Sequence, residues 1–376
     1  MAKVVKGYSK TKRIRSKQKK HRTSFSDVVY RFFAIVLAAA LVVAYVSVFI
    51  DPTDFHIPMY FGFYFVPLAL LNLLMLAAGI LHKKRALLIP LIALLPALLI
   101  SDKYVKIGKD DKTLSGDHIK VMTYNLGRYC AASDKRNQND AISGVRTFIA
   151  AENPDIVCLQ EFSADDTEKI KQYLPSYPYV AYYFFKGNRY FGNLTLSRYP
   201  IAETEVIKFQ KSTNLAIASD IKIGERMVKI YNCHLESYSI SLTSFVKRIF
   251  NKDEFQEEMA LVHERLRAAN LKRSEQVRAV LDSEESSCCP TIVCGDFNDT
   301  PLSYTYHKLT SSKKDSFVDA GSGFSSTYSG LWPLLTIDYI LIPGEYEADN
   351  HTVLRVPYSD HYPVTTNIYF TNEQQY

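Results

Sequence analysis

The amino-acid sequence predicts an α/β domain preceded by a helical transmembrane region. The 376-residue chain is 47% apolar, with 21 Phe and 26 Tyr, so it can bury a core and is neither disordered nor collagen-like. Long apolar blocks precede residue 101, and short β-branched runs alternate with helical stretches after it. Residues 1–100 hold 14 Lys and Arg against three Asp, a net charge of +11, whereas residues 101–376 hold 31 basic and 36 acidic groups, a net charge of −5.

Three apolar blocks predict membrane-spanning helices at about residues 32–50, 57–81 and 86–101, within a region covering 27–101. The first two contain 19 and 25 residues without a charge, enough to cross a hydrocarbon core of about 30 Å at 1.5 Å per residue. The third contains two prolines and is expected to span, although a buried or interfacial helix is the alternative. A cleaved signal peptide is disfavoured for the first block, because that block is long and a second one follows closely.

The distribution of Lys and Arg predicts the orientation of these spans. Residues 1–26 form a basic arm with ten Lys and Arg, and a Lys83-Lys84-Arg85 turn follows the second block, whereas loop 51–56 has none. Basic segments stay cytoplasmic, so three spans place residues 101–376 outside the cytoplasm. A nucleic-acid-binding tail is the alternative role for the arm.

The six cysteines show no spacing typical of a disulfide framework or a zinc site. Most lie in or beside apolar runs, and buried, unreactive thiols are expected. A disulfide involving Cys288 or Cys289 remains open.

Beyond a charged linker at 102–116, residues 117–371 predict one α/β domain whose strands end in polar side chains. These residues are Asn125, Glu161, His234, Asp296, Asn298, Asp360 and His361. Strands that end this way can bring carboxylates, amides and imidazoles to one edge of a sheet, as a divalent-metal phosphoester site requires. Asp296 and Asn298 are two apart and point the same way on an extended chain, although an Asx-rich turn is the alternative.

Seven motifs in this region resemble, in order, those of the endonuclease/exonuclease/phosphatase superfamily. They are TYN at 123–125, LQE at 159–161, SRYPI at 197–201, NCHL at 232–235, GDFN at 295–298, IDYIL at 337–341 and SDH at 359–361. Members of the superfamily include deoxyribonuclease I, abasic-site endonucleases, neutral sphingomyelinases and inositol-polyphosphate 5-phosphatases. Together with the apolar front, the chain also looks like membrane-anchored members from bacteria of the Bacteroides type, which implies the bacterial plasma membrane.

The resemblance implies a four-layer α/β sandwich, in which two packed β-sheets are flanked by helices and the site lies at one rim. It implies Mg²⁺ or Mn²⁺ as the cofactor, with Glu161 as the main ligand and Asn125 and Asp360 close to the metal. Oxygen ligands of this kind suit hard cations.

The resemblance also implies roles in phosphoester hydrolysis. Asp296 would orient and deprotonate the attacking water, while Asn298 would hold the phosphate. His361, paired with Asp338, would stabilise the transition state or handle the proton. His234 would donate to a phosphate oxygen or to the leaving group, and Asn193 would make a supporting phosphate contact.

A polar, helix-rich insertion at about 237–287 follows the strand that ends in His234. One apolar stripe runs along its first part, at Leu242, Phe245, Val246, Ile249 and Phe250, and a longer helix is expected from about 254 to 282. Packing on the outer face of a sheet is the expected role, with a substrate-side lid or a membrane-surface contact as alternatives.

The leading functional hypothesis is a membrane-anchored, metal-dependent phosphoesterase, and a catalytically inactive binding module of the same fold is the alternative. A tethered, acidic body slightly favours a lipid head group or another small phosphoester over nucleic acid, since nucleases usually present basic grooves. A membrane-tethered endonuclease or exonuclease is the competing reading. The lipid bilayer is the expected partner, and no obligate protein partner is expected.

Overall fold

The computed structural model describes residues 24–108, 114–127, 135–164, 174–186, 190–238, 255–331, 333 and 335–370. Most of the basic arm, Cys130 and the apolar stripe predicted at 242–250 lie outside these residues. The fold has a helical front and a body built on two β-sheets.

The described part of the front contains four α-helices, α1 (Phe25–Ser47), α2 (Ile57–Phe63), α3 (Phe65–Leu81) and α4 (Leu88–Ile100). Helix α1 and the helical segment Arg85–Lys103 are long and apolar enough to cross a membrane, and α2 with α3 would form a third span bent by 68°. The second predicted helix is therefore broken at Tyr64. Pro67 gives a physical reason, because its ring nitrogen cannot donate to the carbonyl of Phe63, four residues earlier.

The first part of the predicted linker is ordered against the body. Residues Val105–Lys106 form a short strand, β1, that pairs with β11 (Gly323–Phe324). The backbone carbonyl of Tyr104 accepts a hydrogen bond from the backbone of Ser325 at 3.0 Å. The front and the body are thus in contact as soon as the last apolar helix ends.

The body consists of two six-stranded mixed sheets. The first has the order β13-β14-β2-β3-β5-β4 and the second the order β10-β12-β9-β8-β7-β6. Only β2 with β3 and β8 with β9 are parallel among the named pairs of these sheets. The strands are β2 (His118–Asn125), β3 (Ile156–Ala164), β4 (Tyr179–Lys186), β5 (Tyr190–Ser197), β6 (Ile201–Lys208), β7 (Leu215–Ile223), β8 (Arg226–His234), β9 (Thr291–Asp296), β10 (Lys313–Asp315), β12 (Asp338–Pro343), β13 (Glu347–Val353) and β14 (Val364–Tyr369).

The main core lies between the two sheets, where β-branched residues of both inner faces are fully buried, including Val121, Ile156, Ile230 and Ile292. Helix α5 (Lys135–Glu152) covers the outer face of the first sheet and α6 (Phe255–Glu285) that of the second. Two shorter helices follow, α7 (Tyr304–Leu309) and α8 (Ser316–Ala320). The predicted four-layer α/β sandwich is confirmed.

All five described cysteines are free thiols. Cys158, Cys233 and Cys294 are buried, Cys289 is half-buried and Cys288 is exposed. Burial raises the pKa of the Cys233 thiol well above its usual value. The Cys288 or Cys289 disulfide left open by the sequence is absent from the structure.

Candidate active site

The inward-facing positions of the central strands change from apolar to polar toward one end of the sandwich. In β8, Ile230 belongs to the core between the sheets, Asn232 is fully buried beyond it and His234 ends the strand. Alternate residues of a strand point to the same face of the sheet, so the inward-facing residue two positions further along lies closer to the rim. The same progression ends β2 at Asn125 and β9 at Asp296, and the antiparallel strand β12 begins at this rim with Asp338.

Three neighbouring strands of the second sheet place His234, Asp296 and Asp338 side by side. His234 is the register partner of Asp296 in the parallel pair, and Asp338 is its partner in the antiparallel pair. The Nε2 atom of His234 lies 3.9 Å from Oδ2 of Asp296. Sheet register therefore brings together residues that are 62 and 42 positions apart in the sequence.

The first sheet supplies Asn125 and Glu161. The pairing of β3 with β5 is interrupted between Leu159 and Phe162, and Glu161 has a positive φ of 48°. A bulge redirects the side chain that it carries, and a non-glycine residue in this region of backbone space is unusual. Glu161 Oε1 consequently lies 3.4 Å from Asn125 Nδ2 and 3.6 Å from His234 Nε2.

Asp296 is almost fully buried and is held by amide donors. Its Oδ2 accepts from Nδ2 of Asn125 at 2.8 Å and from Nδ2 of Asn298 at 3.0 Å, and its Oδ1 accepts from the Asn298 backbone at 2.8 Å. Burial, together with the neighbouring carboxylate of Asp338, raises the pKa of Asp296 to about 7, against the opposing effect of His361. Asp296 is thus a stronger base than an ordinary carboxylate.

His361 is buried between two carboxylates. Its Nδ1 lies 3.0 Å from Oδ2 of Asp338, and its Nε2 lies 3.9 Å from Oδ2 of Asp296. Burial alone favours neutral imidazole, but Asp338 and Asp296 outweigh it and raise the pKa of His361 to about 10. The ring is therefore a fixed cation beside Asp296 at neutral pH.

The residues at the rim fit a divalent cation in their donor chemistry. Glu161 presents a partly exposed carboxylate, 27% accessible, beside the amide of Asn125. A second group, Asp296, Asp338 and His361, has ligand atoms that all lie within 4.8 Å of one another. The first group offers only oxygen donors, which hard cations such as Mg²⁺ prefer, whereas the second group includes an imidazole.

Asp360 lies on the same side as Asn125. The Gly127 backbone donates to Oδ1 of Asn125 at 2.8 Å, and Oδ1 of Asp360 lies 2.6 Å from where a β-carbon on Gly127 would stand. Ser359 donates to the backbone carbonyl of Asn125 at 2.8 Å and accepts from the backbone of His361. Sequence reasoning missed Gly127 and gave Ser359 no role, although both lie within two residues of predicted site residues.

Asn193 has a different position from the other predicted residues. Its Nδ2 donates to the backbone carbonyls of Leu215 and Asn232, so this amide links the first sheet to the second. Beside it, Nε2 of Gln160 donates to Thr123 and to Asn232. This layer of buried polar side chains beneath the rim was not predicted as a group. The alternation of inward-facing residues, which predicts the rim residues, could have indicated it.

An open cleft of about 520 Å³ adjoins the site. Glu161 and His234 line it on one side, and the turn between β6 and β7 contributes Lys211 and Asn214. The cleft therefore gives a polar ligand access to the partly exposed carboxylate and imidazole.

Two family models match the chain. The Endonuclease/Exonuclease/phosphatase family matches residues 122–361, which contain all nine predicted site residues. A domain of unknown function (DUF8431) matches residues 27–104. Enzymes of the first family hydrolyse phosphoric esters and generally depend on a divalent metal, so the chain is assigned to that class of hydrolase.

The chain is similar to one curated protein, the 5′-tyrosyl-DNA phosphodiesterase of Caenorhabditis briggsae, with 31% identity over 127 residues. This match covers 33% of the chain and spans about a third, 35%, of the relative's length. Among solved structures, the endonuclease/exonuclease/phosphatase from Beutenbergia cavernae is 17% identical, covers 68% of this chain and 72% of its own, and has a TM-score of 0.51. The protein of the same description from Bacteroides vulgatus is 17% identical, covers 68% of this chain and 100% of its own, and also has a TM-score of 0.51. The fold is therefore shared, and with the family match over residues 122–361 the chain belongs to the endonuclease/exonuclease/phosphatase family.

Proposed function

We propose that this chain is a membrane-anchored phosphodiesterase that uses Mg²⁺ or Mn²⁺ and acts by in-line attack of an activated water. The observation that carries the proposal is the pairing of Asp296, whose pKa is about 7, with the cationic His361 next to the partly exposed Glu161. A base, a fixed positive charge and a solvent-accessible oxygen ligand are the three components that metal-dependent phosphodiester hydrolysis uses.

Asp296 is the proposed base. Its carboxylate is oriented by Asn125 and by both donors of Asn298, which fixes the lone pair that takes the proton from water. Asn298 Nδ2 also donates to the carbonyl of Leu235, so its amide is anchored at the position proposed to hold the phosphate. Orientation of this kind reduces the entropic part of the barrier.

His361 is proposed to stabilise the negative charge that develops on the phosphate oxygens of the substrate. Asp338 is proposed to keep His361 protonated and to fix the orientation of its ring. His234 faces both Glu161 and Asp296 from the cleft side and is proposed to donate to a phosphate oxygen or to the leaving group. Glu161, Asn125 and Asp360 would hold the metal. When bound, the metal would supply a positive charge that offsets the charge of the phosphodiester.

Metal-dependent turnover of a simple diester tests this proposal. We expect the full chain, purified in detergent micelles, to hydrolyse bis-p-nitrophenyl phosphate with Mg²⁺ or Mn²⁺ and to lose that activity in EDTA. Asp296→Ala is the blank, because it removes the base and leaves the other donors in place. Equal rates for the wild type and the blank, with and without metal, would instead indicate an inactive binding module.

We further propose that the substrate lies at the membrane surface. The loop that follows β9 contacts the apolar helices, since a β-carbon on Gly62 would lie 2.8 Å from the carbonyl of Leu302. A site beside the bilayer meets lipid head groups at high effective concentration. The net charge of −5 on residues 101–376 also disfavours nonspecific binding to a nucleic-acid backbone.

A nucleic-acid phosphodiester is the second candidate substrate. The supporting observation is the similarity to a 5′-tyrosyl-DNA phosphodiesterase over 127 residues. Lys211, which lines the cleft, supplies a positive charge that is compatible with a nucleic-acid phosphate.

A substrate panel separates the two candidates. The full chain in nanodiscs is assayed with Mg²⁺ on phospholipid and sphingolipid vesicles, inositol phosphates, 5′-phosphotyrosyl DNA, single-stranded and duplex DNA, and RNA. Asp296→Ala is the blank for each substrate. We expect the lipid or small-phosphoester arm to be fastest, and rapid cleavage of the nucleic-acid substrates alone would indicate a tethered nuclease.

A further inference from the structure

The apolar front contacts the body at the two loops that leave the active-site strands. Several of these contacts are made by the α1–α2 loop and by α2. They reach helix α6, the loop that follows β8 and the loop that follows β9. The front is therefore in direct contact with the body, and its position can affect the residues next to the site.

Asp51, in the α1–α2 loop, forms the polar part of this contact. Its Oδ1 accepts from the hydroxyl of Ser274 at 2.6 Å, and its Oδ2 accepts from the hydroxyl of Tyr304 at 2.8 Å. Although partial burial opposes ionisation, the hydrogen bonds from Ser274, Thr53 and Tyr304 lower the pKa of Asp51 to about 2. Asp51 is thus a carboxylate that joins the front to α6 and to the start of α7.

Arg273, directly before Ser274 on α6, joins the two active-site loops. Its side chain is fully buried. Its Nε donates to Oδ2 of Asp299 at 3.2 Å, and its Nη1 donates to the backbone carbonyl of Glu236 at 2.7 Å. Asp299 directly follows Asn298, and Glu236 lies two residues after His234, so one guanidinium fixes the spacing between the loops.

Tyr238 completes this cluster and links it to the membrane helix. The guanidinium carbon of Arg273 lies 4.2 Å from the centre of the Tyr238 ring, and the Tyr238 hydroxyl donates to Oδ1 of Asp299 at 2.9 Å. The ring of Phe63, the last residue of α2, packs edge-on against Tyr238 with centroids 5.4 Å apart. Charge-assisted hydrogen bonds of this kind are roughly twice as strong as neutral ones, so they hold the groups that they join in a defined geometry.

We propose that the membrane helices are a positioning element of the enzyme: α2, acting through Phe63, Tyr238, Arg273 and Asp299, sets the relative position of the two loops that follow His234 and Asp296, the second of which carries Asn298. This inference rests on the proposed function, because it assumes that His234 and Asp296 act together. Displacement of a catalytic group by about 1 Å can lower a rate about 100-fold without changing substrate affinity.

Two variants and one control in full-length protein test the inference. Phe63→Ala removes the contact with the membrane helix, and Tyr238→Phe removes only the hydroxyl that donates to Asp299 while keeping the ring. Phe33→Ala is the matched control, because Phe33 lies on α1 and is 52% exposed on the apolar surface. Each protein is reconstituted in nanodiscs, and kcat, KM and the melting temperature are measured with Mn²⁺ and a soluble diester.

We expect Phe63→Ala and Tyr238→Phe to lower kcat by about 10-fold or more, with KM and the melting temperature close to those of Phe33→Ala. A kcat within two-fold of the control, or a loss of kcat that follows a loss of melting temperature in both variants, would overturn the inference. Absence of metal-dependent hydrolysis in the wild type would refute the proposed function itself, so the two failures are distinguishable.

Discussion

Among the carboxylates that favour the positive charge of His361, Asp338 has the largest effect, and its carboxylate contacts Nδ1 of the ring. We expect Asp338→Asn to lower turnover about 100-fold, because it removes the charge that keeps the imidazole protonated and oriented. Turnover and the circular-dichroism melt are the measurements, with Asp349→Asn on β13 as the matched carboxylate control. Near-normal turnover in a well-folded Asp338→Asn protein would show that His361 does not act as the cation.

A second buried histidine makes stability depend on pH. Burial lowers the pKa of His351, which contacts the hydroxyl of Ser316 at 2.8 Å, to about 3. In the unfolded chain this histidine takes up a proton near pH 6.5, whereas in the folded chain it stays neutral until about pH 3. The free energy of unfolding therefore falls as the pH decreases between these two values, and at pH 5 the loss is about 2 kcal/mol.

His351→Gln tests this linkage, because glutamine keeps a hydrogen-bonding group and does not titrate. We expect its melting temperature to fall less than that of the wild type between pH 7 and pH 5. Parallel pH dependence of the two proteins would show that His351 is not the responsible group.

At the scale of the elements, the pairing of β8 with β9 depends on Gly295. This residue has a φ of 133°, and a β-carbon there would lie 1.9 Å from the carbonyl oxygen of Cys233. We expect Gly295→Ala to separate the two strands that align His234 with Asp296 and to destabilise the protein by more than about 3 kcal/mol. Chemical denaturation measures this loss.

Gly344→Ala is the matched control for that substitution. A β-carbon on Gly344 would meet nothing within 4 Å, and Gly344 has no positive φ. Its effect should stay within about 0.5 kcal/mol. Equal stability of the two variants would mean that close approach at Gly295 does not hold the strands together.

Strand alternation explains which site residues the sequence could predict. Asn125 and Asp296 follow strand residues that alternate inward at a spacing of two, so each was expected at a strand end, whereas the role of Asp338 came only from the family resemblance of the IDYIL motif. Glu161 occupies its position through a bulge and a positive φ, and no periodicity indicates such a feature. Its place at the end of a strand was predicted, but its role as the main metal ligand rested on the resemblance of the LQE motif to a known family.

Contacts between distant parts of the chain could not be predicted in this way. Asp51 and Ser274 are separated by 223 positions, and nothing in the sequence around either residue indicates that their side chains form a hydrogen bond. The expected linker at 102–116 likewise begins with a strand, because β1 pairs with β11, a partner more than 200 residues away. Docking of the front on the body is a property of the folded molecule.

At the scale of the whole molecule, the proposed topology places residues 101–376 outside the cytoplasm. Cys288 is exposed and Cys289 half-buried, while the other described cysteines are buried, so Cys288 is a natural reporter of that side. We expect a membrane-impermeant maleimide to label it in intact bacterial spheroplasts and Cys288→Ser to lose most of the label. Ser9→Cys, made in the Cys288→Ser background, should be labelled only after permeabilisation.

The reverse pattern would contradict the topology. Labelling of Ser9→Cys in intact spheroplasts, with Cys288 protected until permeabilisation, would place the catalytic body on the cytoplasmic side. The direct contacts between front and body would still hold, but the accessible substrates would be cytoplasmic ones.

The central claim divides the site into residues that hold the metal and residues that perform the chemistry. The most direct test is the Mn²⁺ dependence of diester hydrolysis by the full chain, compared between Glu161→Gln and Asp296→Asn. We predict that excess Mn²⁺ restores much of the activity of Glu161→Gln, because only metal affinity is weakened, and restores none of that of Asp296→Asn. Restoration of Asp296→Asn by Mn²⁺, with no restoration of Glu161→Gln, would contradict the account.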